Sequence, residues 1–259
     1  MDAKKLLSNQ DTWPWIKDRT ILLTRTGSHA YGTNTEDSDQ DFKGIVIPPK
    51  EYYLGMNSFE HYNNKNGKSI RNTKDDIDVS LVAIRKFFKE ASGGAANTLE
   101  LLFARPEDYI MLDSYGDTII RNRQLFLSKQ VFYTFGGYAR GEAKRMIHNK
   151  NRTELVEAYG YDTKHFMHTV RLLQSAIEIL DTEDFSAYRD NHSYLLDLRN
   201  GLYTLPEASK LIDKLEHDMN VAYRSSKLRE ETDFHLLNEI LIDITSHAIE
   251  REVFNDNTI

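Results

Sequence analysis

Hydrophobic positions fall into two regimes along this chain. Up to about residue 106 they come in short runs and alternations; beyond Pro106 they recur at helical spacing. The apolar run Ile21-Leu22-Leu23 predicts a strand over Thr20 to Thr26. A second run, Ile45-Val46-Ile47, ends a strand at Pro48-Pro49, because proline cannot extend a ladder. Asp76, Asp78 and Ser80 alternate with Ile77, Val79 and Leu81, which predicts a third strand. From Leu81 onward the period changes: Ile84, Phe87, Phe88 and Ala91 share one helical face, and Gly93-Gly94 stops that helix. A short helix is expected over 97–103, and another around Trp13-Pro14-Trp15-Ile16, where the tryptophans read as packing residues. Residues 52–55 read as a loop over the sheet. The polar stretch 61–74 reads as a hairpin with Asn66-Gly67 at its tip.

The second regime predicts helices over 128–148, 163–180, 207–224 and 232–253, with a turn at Arg199-Asn200-Gly201-Leu202 and a frayed tail. Gly136-Gly137 marks either a kink or a close helix contact. The fold class is therefore α+β, a mixed sheet with flanking helices followed by a helical bundle. The change of character lies within 106–130, and the division is drawn as 1–110 and 111–259.

Composition changes this picture little. With 40% hydrophobic and 28% charged residues among 259, the chain is of ordinary globular type and long enough for one large or two modest cores. No cysteine is present, which excludes disulfides, thiolate zinc sites and a thiol nucleophile, and fits a cytoplasmic setting. No signal peptide or membrane-spanning run is evident, so no membrane partner is expected. A net charge of −7 argues against a broad nucleic-acid-coating surface but leaves room for a local basic cleft.

The candidate chemistry is concentrated between Gly27 and Gly44. Asp39 and Asp41 are two apart on a strand and so point to one face, where they repel unless a cation lies between them. Mg²⁺ held by one or two carboxylates together with substrate phosphates is the common resolution. The Gly27-Ser28 pair, directly after the first strand, offers backbone N–H groups to a phosphate.

Gly27-Ser28-His29-Ala30-Tyr31-Gly32 followed by Ser38-Asp39-Gln40-Asp41-Phe42-Lys43-Gly44 resembles the signature of the DNA polymerase beta nucleotidyltransferase superfamily. More narrowly, it is similar to the bacterial and phage branch of predicted nucleotidyltransferases that includes RNA-repair-associated polymerase-beta-like proteins. The resemblance implies a palm-type catalytic domain and a third carboxylate on a neighbouring strand. Asp78 is the position that matches, with Asp76 on the same face as its rival. It also implies two Mg²⁺ or Mn²⁺ ions about 3.5–4 Å apart, bound by Asp39, Asp41 and Asp78, with an NTP as substrate.

On the helix over 163–180, Phe166, Val170, Leu173, Ile177 and Leu180 form the expected buried side, and Lys164, His168, Arg171 and Ser175 cluster opposite. From pattern alone that opposite side is either a solvated face or one turned toward an anion. The order Lys164, His168, Arg171-Leu172-Leu173 resembles the family's basic helix, which implies NTP phosphates opposite Lys164, His168 and Arg171, with Gly27 and Ser28 holding the same phosphates from the sheet side. A metal on His165 and His168 lacks a third ligand in the sequence. The implied acceptors are a nucleic-acid end, RNA or tRNA; a small molecule or protein; or none, in a silent nucleotide-binding or RNA-binding protein.

Overall fold

The run Ile21-Leu22-Leu23 lies in the middle of β1 (Thr20–Thr26), at the heart of a five-stranded sheet. The computed structural model describes residues 6–7, 13–64, 77–148 and 153–256. Just before β1 stands α1 (Ile16–Arg19), and after it follow α2 (Gly27–Tyr31), β2 (Gln40–Val46), α3 (Glu51–Leu54), β3 (His61–Asn63) and β4 (Ile77–Ala83). Next come α4 (Ile84–Ser92), α5 (Ala96–Leu102), β5 (Tyr109–Leu112) and α6 (Ser114–Arg121). The remainder is helical: α7 (Gln130–His148), α8 (Thr153–Tyr159), α9 (Thr163–Thr182), α10 (His192–Arg199), α11 (Leu205–Ser225) and α12 (Phe234–Asp256).

The strand order is β3-β4-β2-β1-β5. Only β2 and β4 run parallel; the other pairs are antiparallel. Both faces of β1 are covered, which is why its segment Ile21-Leu22-Leu23 is continuously apolar rather than alternating. Leu23, Phe42, Val46, Val79 and Leu81 pack beneath Trp13, Trp15 and Phe59 on one face. On the other, Leu22, Ile45 and Ile47 join Ile84, Phe87 and Phe88 of α4 in a core that continues into the helical half. Ile21 belongs to that second core together with Leu22, consistent with the register irregularity between Thr20 and Leu22. Trp13 and Trp15 pack edge-on against Phe59, with ring centroids 5.3 and 4.9 Å away, as packing residues do.

Several expectations are corrected. Residues 51–54 form one helical turn rather than a loop. Tyr109–Leu112 is a strand, so the sheet crosses the expected 110/111 division. Its four apolar residues carry no polar alternation because Tyr109 packs toward one core and Ile110 and Met111 toward the other. β3 pairs with β4 as a hairpin would, while Asn66-Gly67 lies outside the described residues. Gly136 is a contact between helices: a Cβ there would lie 3.0 Å from Met219 Cε on α11.

The largest correction concerns α9. It packs against α7, α10 and α11 and is buried on nearly every side, so a single apolar stripe opposite a wet face does not describe it. Arg171 and Ser175 are buried, whereas Ile177 is only half-buried. The Asp162 side chain caps the helix, accepting hydrogen bonds from the Lys164 and His165 N–H groups at 3.1 Å.

Candidate active site

Two strands deliver the acidic groups, with Asp39 immediately ahead of β2. Asp41 on β2 is the Cα partner of Asp78 on β4 across the parallel ladder, and of Thr26 on β1 across the antiparallel one. Asp39, two residues before Asp41, shares its face. One ligand oxygen from each of Asp39, Asp41 and Asp78 lies within 4.8 Å of the others, and all three residues are half-buried. At an effective dielectric of about 20, two carboxylates at that separation repel by about 3–4 kcal/mol. The cost is offset when a cation sits among them, and an all-oxygen donor set suits a hard divalent ion. Asp76, the rival third carboxylate, lies outside the described residues.

Gly27 shapes the space around Asp41. Its φ is +67°, in the left-handed region, and a Cβ built there would fall 2.3 Å from Asp41 Oδ2. Any side chain at this position would occupy the room beside the carboxylate. Gly27 and Ser28 open α2, whose C-cap Gly32 has φ +77° and returns its N–H to the Ser28 carbonyl. Around this turn, Thr26 Oγ1, Thr33 Oγ1 and His29 Nε2 are buried with no hydrogen-bond partner among the described residues. Thr26 extends the row occupied by Asp41 and Asp78, so an unsatisfied hydroxyl borders the carboxylates. The donor chemistry, the gap beside Gly27 and this hydroxyl all fit a bound cation with a phosphate.

The basic positions on α9 divide. Arg171 is 3% exposed and its Nη1 donates to Glu100 Oε1 at 2.6 Å. Its guanidinium also lies 3.7 Å from the centroid of the Tyr31 ring, and the Tyr31 hydroxyl donates to Glu100 Oε2 at 2.5 Å. Burial alone would lower the Arg171 pKa, but Glu100 and Tyr31 outweigh it and hold the guanidinium above its ordinary value. Burial, reinforced by Glu100, pushes the Tyr31 phenol well above its ordinary value. Arg171 is thus engaged within the protein, tying α9 to α5 and to the end of α2.

Lys164 and His168 are half-buried earlier on the same helix. They stand seven and three residues before Arg171, on the side that Arg171 turns toward Tyr31. His165 points elsewhere: its Nδ1 is 2.5 Å from Glu142 Oε2.

Tyr31 and Glu100 had no assigned chemistry in the sequence. A signal was present, since Glu100 interrupts Leu99, Leu101 and Leu102, and a carboxylate within an apolar run calls for a buried partner. No described helix is long and apolar enough to cross a membrane.

An uncharacterized 38.9 kDa protein of Enterobacteria phage T4, from the nrdC–mobD intergenic region, is 37% identical over 130 residues. The match takes in 49% of this chain and 38% of the phage protein, so the chain spans well under half of that relative. A nucleotidyltransferase-like protein from Exiguobacterium sibiricum 255-15 aligns over 96% of this chain and 78% of its own, at 13% identity and a TM-score of 0.32, too slight a likeness to support a reading. Residues 7–243 match the RlaP description, RNA repair pathway DNA polymerase beta family. The chain belongs to this RNA repair pathway DNA polymerase beta family, a family of nucleotidyltransferases.

Proposed function

We propose that this chain transfers a nucleoside monophosphate from an NTP to a hydroxyl at an RNA or tRNA end. The observation that carries the reading is the convergence of Asp39, Asp41 and Asp78 on one face, with Gly27 leaving space beside Asp41. Asp39, Asp41 and Asp78 would hold Mg²⁺ or Mn²⁺, as two ions, and the metal would supply charge neutralisation and a more acidic acceptor hydroxyl.

The acceptor oxygen attacks the α-phosphorus, the bond to the β-phosphate oxygen breaks, and pyrophosphate leaves. Asp78 takes the hydroxyl proton. Gly27 and Ser28 hold the β- and γ-phosphates through N–H groups and the Ser28 hydroxyl. Lys164 and His168 face the same phosphates from α9, about 10 and 4.5 Å along the helix axis from Arg171. Arg171 acts through Tyr31, fixing the end of α2, rather than on phosphate. The working division places the catalytic part through Leu112 and the helical part after it.

Incubation with each α-labelled NTP and Mg²⁺ or Mn²⁺, with total RNA, tRNA, DNA or a protein extract as acceptor, tests the reading. Label should enter RNA, and the Asp39→Ala/Asp41→Ala variant should transfer none. Persistent transfer in that variant refutes the carboxylate assignment. Label in protein or a small molecule instead of RNA moves the reading to that acceptor.

A further inference from the structure

The row of strand partners continues past the carboxylates. Lys43 and Ser80 are again Cα partners, on the face of Asp41 and Asp78 and about 7 Å further along the strands. Here a cavity of about 330 Å³ separates the sheet from α4 and α5. Lys43, Ser80, His61, Lys86, Asn97 and Thr98 contribute to its lining. Its volume is at the lower end of the range for small-molecule sites, about 300–1,000 Å³. Lys86 and Glu90 also line a second cavity of about 750 Å³, on the outer side of α4, with Arg85, Lys89, Tyr52 and Phe59. The two cavities therefore meet at α4.

Charge within them is lopsided. Lys43, Arg85, Lys86 and Lys89 are set against Glu60 and Glu90. Glu60 pairs with Lys86 at 3.0 Å, and Glu90 accepts from the Thr98 hydroxyl at 3.3 Å. Lys43, Arg85 and Lys89 make no ion pair among the described residues; Arg85 instead lies 5.2 Å from the Tyr53 ring centroid. On a chain of net charge −7 this is a local concentration of cations; Tyr52 and Phe59, half-buried against Trp13 and Trp15, wall the outer cavity. Cations spaced along a groove to follow a phosphate backbone are what single-stranded nucleic acid binds. A small cationic acceptor would be repelled here.

Direction follows from the sheet. Gly27 succeeds Thr26 on β1, so the phosphate cradle stands at the β1 end of the row, whereas Asp78 stands at the β4 end, where the cavities open. Resting on the nucleotidyltransferase reading above, we infer that the two cavities form the acceptor track. It seats the terminal nucleotides of a single-stranded RNA, with the end hydroxyl at Asp78 and the phosphodiesters against Lys43, Lys86 and Lys89.

The test is fluorescence anisotropy of a 5′-labelled single-stranded RNA of about ten nucleotides, a length within single-strand site sizes, without NTP or metal. Lys86→Glu/Lys89→Glu should weaken binding at least about tenfold and reduce the slope of log affinity against log salt by about 1.4, for two lost phosphate contacts. Lys210→Glu/Lys214→Glu on the exposed side of α11 carries the same charge change far from the track and should stay within about twofold. If both double variants weaken binding equally, or if Lys86→Glu/Lys89→Glu binds RNA like the parent, the track is overturned. If the first double variant does not fold, Lys89→Ala, at an exposed position, should still reduce the slope by about 0.7; an unchanged slope overturns the track.

The binding measurement is independent of transfer. A protein that loses RNA affinity in Lys86→Glu/Lys89→Glu yet labels no acceptor under any condition supports the track and refutes the transferase reading. Labelling of RNA with unchanged acceptor KM in that variant keeps the transferase and refutes the track.

Discussion

Replacing Arg171 by methionine separates a phosphate ligand from an internal tie. The substitution keeps the length and packing of the side chain but leaves the Glu100 carboxylate buried beside the Tyr31 hydroxyl without its cation. Removing one partner of a buried ion pair costs about 3–5 kcal/mol, because the remaining charge stays desolvated. The lost guanidinium–ring contact at 3.7 Å falls within that cost. For a chain of this size each kcal/mol lowers Tm by about 2–4 °C, so Arg171→Met should melt about 6–20 °C lower. Glu100→Gln alone strands the guanidinium and should also destabilise. The double variant Arg171→Met/Glu100→Gln removes both charges while leaving an amide oxygen for Tyr31, and should be more stable than Arg171→Met alone. Thermal unfolding by circular dichroism measures all three, and ATP affinity is measured alongside. A shift under about 2 °C in Arg171→Met, less than a single kcal/mol would give, together with a large loss of ATP affinity, would falsify the internal assignment and restore Arg171 to the phosphates.

Gly27→Ala should abolish labelling: a Cβ 2.3 Å from Asp41 Oδ2 displaces the carboxylate, and the left-handed backbone adds about 1–2 kcal/mol of strain, read as a lower Tm. Unaltered activity would show that the space beside Gly27 is not used. Mn²⁺ should raise the Tm of the parent protein, and Asp41→Asn should lower transfer at least about a hundredfold and remove that rise; an equal rise in both would locate the ion elsewhere. Glu207 caps α11 by accepting from the Thr204 N–H at 2.8 Å and hydroxyl at 2.6 Å, and these bonds hold its carboxyl below the ordinary value of 4.5. Its stabilisation is complete above that value and fades as pH falls through the lowered folded one. The Tm gap between the parent and Glu207→Ala should therefore be widest above about pH 4.5 and close in more acid solution; a gap independent of pH would mean that the ionised carboxylate is not the cap.

What the sequence shows and what it conceals differ in range. β1 was legible because Ile21-Leu22-Leu23 is buried on both faces, and α4 because Ile84, Phe87, Phe88 and Ala91 obey one period. Asp39 and Asp41 were legible for the same local reason, since alternation puts them together whatever surrounds the strand. The pairing of Asp41 with Asp78 needed the parallel register, which no local pattern contains. Arg171 looked outward because a single-stripe reading allows a helix one core, whereas α9 is enclosed by several helices. The carboxylate it hydrogen-bonds, Glu100, is 71 residues away in sequence. β5 was missed since a four-residue apolar run packed on both faces has no period to detect.

That fifth strand governs how the protein can be dissected. β5 closes the outer edge of β1, pairing Leu22 with Leu112 and Leu23 with Met111. A truncation after residue 110 would strip that edge and leave the N–H and C=O groups of β1, beside its apolar run Ile21-Leu22-Leu23, open to other chains. Such a fragment would self-associate in preference to staying monomeric. The shortest independently soluble catalytic piece must therefore retain Leu112, and also α6, whose Gly116 lies close enough to the Ile21 carbonyl that a Cβ would come within 2.4 Å.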